Sequence, residues 1–269
     1  MNAILTLNRI NFYNDVTRNA RFSFAEINMA VQDAVFDFID EKIGDPLSRS
    51  PENFQFIQLI REDIHTLIST ANPSVTNGTV ITNRYYSITP SHINFPADYY
   101  TFVTLNLLID GYTDYSRPTT YNENGPLFKD SFRHPTNLKT YFNEDSTGLK
   151  IYRGVGGTVI SSTLEYLRNP ADFSVGTEAN LITSGGTLTN LLAYIATEIS
   201  VYNAVTYAIG ATITGTGAAL TSGQVILTSN TTPIDLPAKT HEEIARRASV
   251  ILLKNVGNIP AAQSVESQV

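Results

Sequence analysis

The chain contains no cysteine. A disulfide framework, a zinc–thiolate site and a thiol nucleophile are excluded together. Charge is scarce as well: Asp, Glu, Lys and Arg make up 16% of the 269 residues, where about a quarter is usual. No basic run exists and the formal net charge is −7, which argues against binding nucleic acid by neutralising its phosphates. No apolar run approaches the roughly 20 residues of a membrane span. The first residues lack a basic start followed by an apolar core and a cleavage site. A protein made in a cytoplasm, without membrane contact, is expected.

Signatures of chemistry are equally thin. The G-x-S-x-G pattern is missing. The histidines, His65, His92, His134 and His241, stand far apart in sequence, and His65 has no second ligand four residues on. Asp37, Asp40 and Glu41 are close carboxylates that a solvated helix face explains more simply than an acid–base pair. Gly154-Val155-Gly156-Gly157 is followed by no Lys-Ser/Thr, so it predicts a tight turn and not a phosphate loop. These patterns point to no catalytic, metal or cofactor site, and an enzyme is not expected.

What replaces charge is Thr, Asn, Ser and Gly, with 14 Tyr and 13 Phe, a profile of β-rich, contact-making proteins. The helical signals lie near the two ends. Ile234–Asn258 carries an apolar stripe at Ile244, Ala248, Ile251 and Leu252, with Glu242 and Glu243 in the first turn and Lys254 in the last. Thr240 and Glu243 have the spacing of a capping box, and Gly257 is placed to end the helix in the left-handed conformation. Ser23 and Glu26 form a second capping-box pattern ahead of Ile27, Val31, Ala34, Val35 and Phe38. Ser50 and Pro51 open a further helix with Ile57, Ile60, Ile64, Leu67 and Ile68 on one face, ended by Asn72-Pro73. The two N-terminal helices predict an αα-hairpin, and the C-terminal helix is its natural partner. Residues 1–22 lack a sustained helical period and predict an extended arm, and 259–269 a flexible tail.

Between these ends the period changes. Residues 73–173 predict a β-rich body, with a turn at Asn77-Gly78 and strands along 101–110, 138–142, 149–152 and 159–167. Gly111–Pro135 predicts a long loop carrying Tyr112, Tyr115, Tyr121, Phe128 and Phe132, residue types that anchor subunit interfaces. Residues 174–233 are nearly free of charge and predict a β insertion with strands at 195–205, 207–214 and 225–227, while 188–195 suits a helical turn equally well. The expected class is α+β: a helical bundle of 23–72 and 234–258, a β-rich body, and a β insertion.

Three landmarks in this order, FPADYY at 95–100, TLEYLRNPADF at 163–173 and LPAKTHEEIARRASVILLKN at 236–255, follow a helical N-terminus. Together with VYNAVTYAIG at 201–210 they resemble the head-to-tail connector (neck ring, or adaptor) proteins of tailed bacteriophages, and among these the short-tailed crAss-like phages of Bacteroidetes. The resemblance implies a virion structural protein at the head–tail junction. It would form a homo-oligomeric ring, generally dodecameric, contact the portal and other neck or tail proteins, and pass DNA through its lumen without specific binding. The insertion at 174–233 departs from simple connectors and puts its layer in the neck in question. A terminator or fibre-holding adaptor of the tail, or a glycan-binding β module, are the alternatives.

Overall fold

The computed structural model describes residues 2–15, 22–43, 62–82, 87–120, 130 and 133–267. They fall into two compact units, one within Met1–Arg49, Ile57–Thr66 and Pro170–Val269, the other within Ser50–Phe56 and Leu67–Asn169. Both helices and sheets are present, in an α+β arrangement.

The second unit is a sandwich of two sheets whose strands pair antiparallel, apart from the short parallel pair of Arg117–Pro118 with Tyr141–Phe142. Its strands are β1 (Ile68–Ala71), β2 (Thr76–Asn77), β3 (Ile81–Thr82), β4 (Ser87–Asn94), β5 (Tyr99–Ile109), β6 (Tyr112–Tyr115), β7 (Arg117–Pro118), β8 (Tyr141–Glu144), β9 (Gly148–Gly154) and β10 (Val159–Arg168). One sheet runs β1-β10-β5-β6, and the other runs β2-β4-β9-β8-β7 with β3 also on β4. Strand alternation sends Leu105, Leu107, Ile109 and Leu164 of the first sheet toward Ile93, Phe142, Leu149 and Ile151 of the second, and these residues form one core.

A buried cation fastens this sandwich. Arg153 is only 3% exposed, yet none of the described ion pairs engages it. Its guanidinium donates to Gly157 O (2.5 Å), Asn77 Oδ1 (3.1 Å), Ser91 Oγ (3.4 Å) and Gly154 O (3.4 Å). Burial lowers its pKa, with the more distant Asp110 acting against that shift. The neutral acceptors satisfy a charge that would otherwise be costly to desolvate. Two of them, Gly154 O and Gly157 O, belong to the turn expected at Gly154–Gly157.

The other unit joins helices to a small β module. Its helices are α1 (Ala3–Asp15), α2 (Phe24–Ile43), α3 (His241–Asn255) and α4 (Ile259–Glu266). The module has β11 (Leu181–Thr183), β12 (Ala193–Ala196), β15 (Thr212–Thr214) and β16 (Gln224–Leu227) in the order β11-β16-β12-β15, with a hairpin of β13 (Ser200–Tyr202) and β14 (Val205–Tyr207). No helix appears at 188–195, whose end belongs to β12. Every described segment from 170 onward groups with the helices.

Helix α3 is the centre of this unit, packed by α1, α2 and α4. Ile244, Ala245, Ala248, Leu252 and Leu253 are buried along it. It ends as its glycine predicts: Gly257, at φ 74°, donates to Lys254 O, and Asn258 donates to Leu253 O, a Schellman closure. The predicted capping box at its start does not form. Thr240 is drawn into a 3-10 turn and donates its hydroxyl to Pro237 O, while Glu243 pairs with Arg247 one turn on. At Ser23 the box does form, with Ser23 N donating to Glu26 and Glu26 N donating to Ser23 Oγ.

Three expectations are corrected. Residues 3–15 are a helix, not an extended arm: Asn2 Oδ1 accepts from Leu5 N as an N-cap, and Ala3, Ile4, Leu7 and Ile10 are buried at helical spacing. Leu5 and Phe12 stand off that stripe, which hid the period. Residues 259–266 are helical and not a flexible tail, capped by Asn258 with Pro260 in the first turn. The helical bundle does not reach residue 72, because His65–Leu67 is a 3-10 turn and Ile68 opens β1, paired with Leu167. The start of that helix, including Ser50, Ile57 and Ile60, lies outside the described residues.

His241 sits at the first position of α3, 4% exposed, with Nε2 donating to Leu236 O (2.7 Å) and Nδ1 unpartnered. Burial pulls its pKa below the usual 6.5, against the smaller opposing effect of the Leu236 bond. In the unfolded chain the ring takes up a proton at higher pH than in the folded one. Its contribution to stability is therefore complete above about pH 6.5, falls as pH drops through that value, and levels off below the folded pKa. Thermal melts between pH 7.5 and 5 should show this loss, and His241→Gln should flatten it. An unchanged slope in the variant would rule out His241 as the source.

Candidate interaction surface

The aromatic segment 111–135 is not one long loop. Asp110 and Gly111, both at positive φ (49° and 85°), turn the chain back on β5, and Tyr112–Tyr115 becomes β6 by pairing with Asn106–Ile109. Asp114, opposite Leu107, points inward, where its buried carboxylate accepts from Thr140 N (2.6 Å) and Thr140 Oγ1 (2.7 Å). Arg117 N then donates to Thr140 O as the chain passes into β7 and the second sheet.

Strand β6 is the outermost strand of its sheet. Tyr112 and Tyr115 are 64% and 66% exposed on it. They do not share a patch. Three residues apart on a strand, they fall on opposite faces: Tyr112 is in register with the core residue Ile109, and Tyr115 with Asn106 and, beyond it, Thr163. Tyr121, Phe128 and Phe132 lie outside the described residues.

The candidate chemical residues are dispersed. His65 Nδ1 contacts Glu62 O, His92 Nε2 lies 3.5 Å from Asp145 Oδ2, and His241 is inside the helical unit. Asp37 and Asp40 are exposed, and Glu41 pairs with Arg247 at 2.7 Å. Among the described residues no group of three or more His, Asp or Glu side chains is placed to hold a metal ion, and no helix is long and apolar enough to cross a membrane. Asp145 has its pKa lowered to about 2, chiefly by the Thr147 amide and hydroxyl, with Gly148 N and His92 adding. These bonds belong to the turn between β8 and β9.

The sequence matches no protein-family model and no curated protein.

A second exposed apolar site was not visible in the sequence. Leu191 and Leu192, in the stretch that also suited a helical turn, are 82% and 41% exposed at the start of β12. Periodicity could not separate them from core leucines, because exposure here is set by the turn.

Proposed function

We propose that this chain is a structural subunit that associates with copies of itself, as a ring at the head–tail junction of a tailed phage. The observation that carries the self-association is the edge of the sandwich. Strand β6 is a short edge with the charge of Asp114 turned inward, and on its exposed positions it presents two tyrosines, a residue type enriched at interface hot spots. The junction itself rests on the order of the sequence landmarks. Oppositely directed anchors suit a closed ring, which needs two different patches on each subunit. An acidic lumen would let DNA slide by repelling its phosphates.

The test is a reconstruction of the neck of the intact particle without imposed symmetry. Several copies of this chain around the DNA axis are the expected result, and a resolved neck filled by other chains would overturn the proposal. In the purified chain, Tyr112→Ser with Tyr115→Ser should raise the concentration for half-assembly by at least tenfold, read by sedimentation.

One observation favours a glycan-binding module as a second reading. Tyr115 stands exposed at the end of a polar row that runs through Asn106 and Thr163 across β6, β5 and β10 on the face away from the core. Reproducible binding on a glycan array, lost in Tyr115→Ala, would support it.

A further inference from the structure

The β module concentrates backbone strain at one end. Four non-glycine residues have positive φ among the described residues, and three of them are here: Leu191 (63°), Asn203 (50°) and Ala204 (61°). They belong to two turns joined by hydrogen bonds. Leu191 N donates to Gly215 O and Gly215 N to Leu192 O, while the next residue, Thr216, donates its N–H to Tyr202 Oη and accepts at Oγ1 from Asn203 Nδ2. The Leu191–Leu192 turn and the Asn203-Ala204 hairpin turn therefore flank the same short segment.

Glycine would occupy Leu191 and Ala204 without strain, and glycine stands at eight other positive-φ positions among the described residues. Here it carries apolar side chains instead, and leaves them in water: Leu191 is 82% exposed, Val205 is 50% exposed, and Ala204 is exposed beside it. Neither packing nor turn chemistry accounts for that choice. The turn is held by its paired hydrogen bonds to Gly215, where the backbone passes so close that a Cβ would lie 2.1 Å from Thr189 O. Strain of this kind persists where the surroundings enforce it, and it gathers at functional sites. A rigid apolar tip is pre-organised for contact.

Charge narrows the choice of occupant. Between residues 179 and 233 Glu198 alone is charged, and it follows the far end of β12 from Leu191. A partner of strong charge would find nothing here to steer or hold it. For a second copy of a chain of net charge −7, an uncharged face is where approach meets least repulsion. We infer that the tip formed by Leu191, Leu192, Ala204 and Val205 packs against a neighbouring copy of this chain, an inference that rests on the self-association proposed above.

The experiment compares the full-length chain with Leu191→Gly and with Leu191→Gly/Ala204→Gly by native mass spectrometry across a concentration series, alongside thermal melts. Because glycine relieves the strain, Tm should stay constant or rise by roughly 2–4 °C, while the concentration for half-assembly rises at least tenfold. A variant that gains stability and loses assembly cannot be dismissed as misfolded. If the wild type assembles and the variants assemble identically, the tip is not the interface and the inference falls alone. Variants that assemble normally but fail to enter particles would give the tip to another virion protein and overturn it equally. A wild-type chain that stays monomeric at every concentration would overturn the self-association and this inference with it.

Discussion

Phe38→Ala should destabilise the helical unit by about 3–5 kcal/mol, the usual cost of emptying a buried aromatic site. The ring is fully buried on α2 and lies at the meeting of α2 with α3. It is also clamped by two cations, Lys42 Nζ at 5.1 Å and the Arg247 guanidinium at 5.4 Å from its centroid. Both are anchored elsewhere: Arg247 to Glu41 and Glu243, and Lys42 to Asp63, which Lys239 also contacts at 2.8 Å. Burial alone would lower the Arg247 pKa, but the bonds and charge of Glu243 and Glu41 more than offset it. Removing the ring therefore opens a cavity and takes the π face from two fixed charges, each such contact adding about 0.5–1 kcal/mol. Urea unfolding followed by far-UV circular dichroism is the measurement, since the chain has no tryptophan. Met29→Ala, at an exposed position on the same helix, should change stability by less than about 0.5 kcal/mol. Equal effects at the two positions would refute the packing of α2 on α3.

In the sandwich the largest expected effect is at Gly148. A Cβ there would lie 1.9 Å from Ile93 O and 2.9 Å from His92 Cε1. The first contact is with backbone, at the end of the β4–β9 ladder where Gly148 pairs with Asn94. No rotamer change can relieve it. Gly148→Ala must push β4 and β9 apart near Leu149 and Ile93, both fully buried, and should cost about 3 kcal/mol or more. Gly156 is the control, with φ 93° and open space around its Cα. Gly156→Ala incurs only the left-handed penalty, about 1–2 kcal/mol. Melting of the two variants should rank Gly148→Ala clearly below Gly156→Ala. The reverse order would mean that the close approach of Ile93 is wrong.

Neither glycine could be told apart from its neighbours by inspecting the chain. Both lie in turn-rich stretches, and their difference is a matter of which carbonyl passes near. The same holds at the candidate surface. Residue type marked Tyr112 and Tyr115 as contact-making, but their opposite directions follow from Asp110 and Gly111 folding the segment back as an edge strand. Leu191 looked like any leucine in an apolar stretch. Its exposure depends on the tight pairing of its turn with Gly215, a contact between residues too far apart in sequence for a local period to register.

Local sequence by itself determined the elements whose stabilising contacts lie within a few residues or repeat with a strong period. Helix α2 follows from Ser23, Glu26 and its apolar stripe, and the end of α3 follows from Gly257. The long strands β5 and β10 follow from their β-forming composition and the breaker at Asn169-Pro170. Tertiary structure decided the rest. Helix α1 is marginal by its own pattern and gains its burial from α3, so an extended arm was the natural expectation. Thr240 was free to cap α3 until Pro237 offered its hydroxyl a closer acceptor. Which side chains remain in water was decided last, because exposure depends on what the rest of the chain fails to cover.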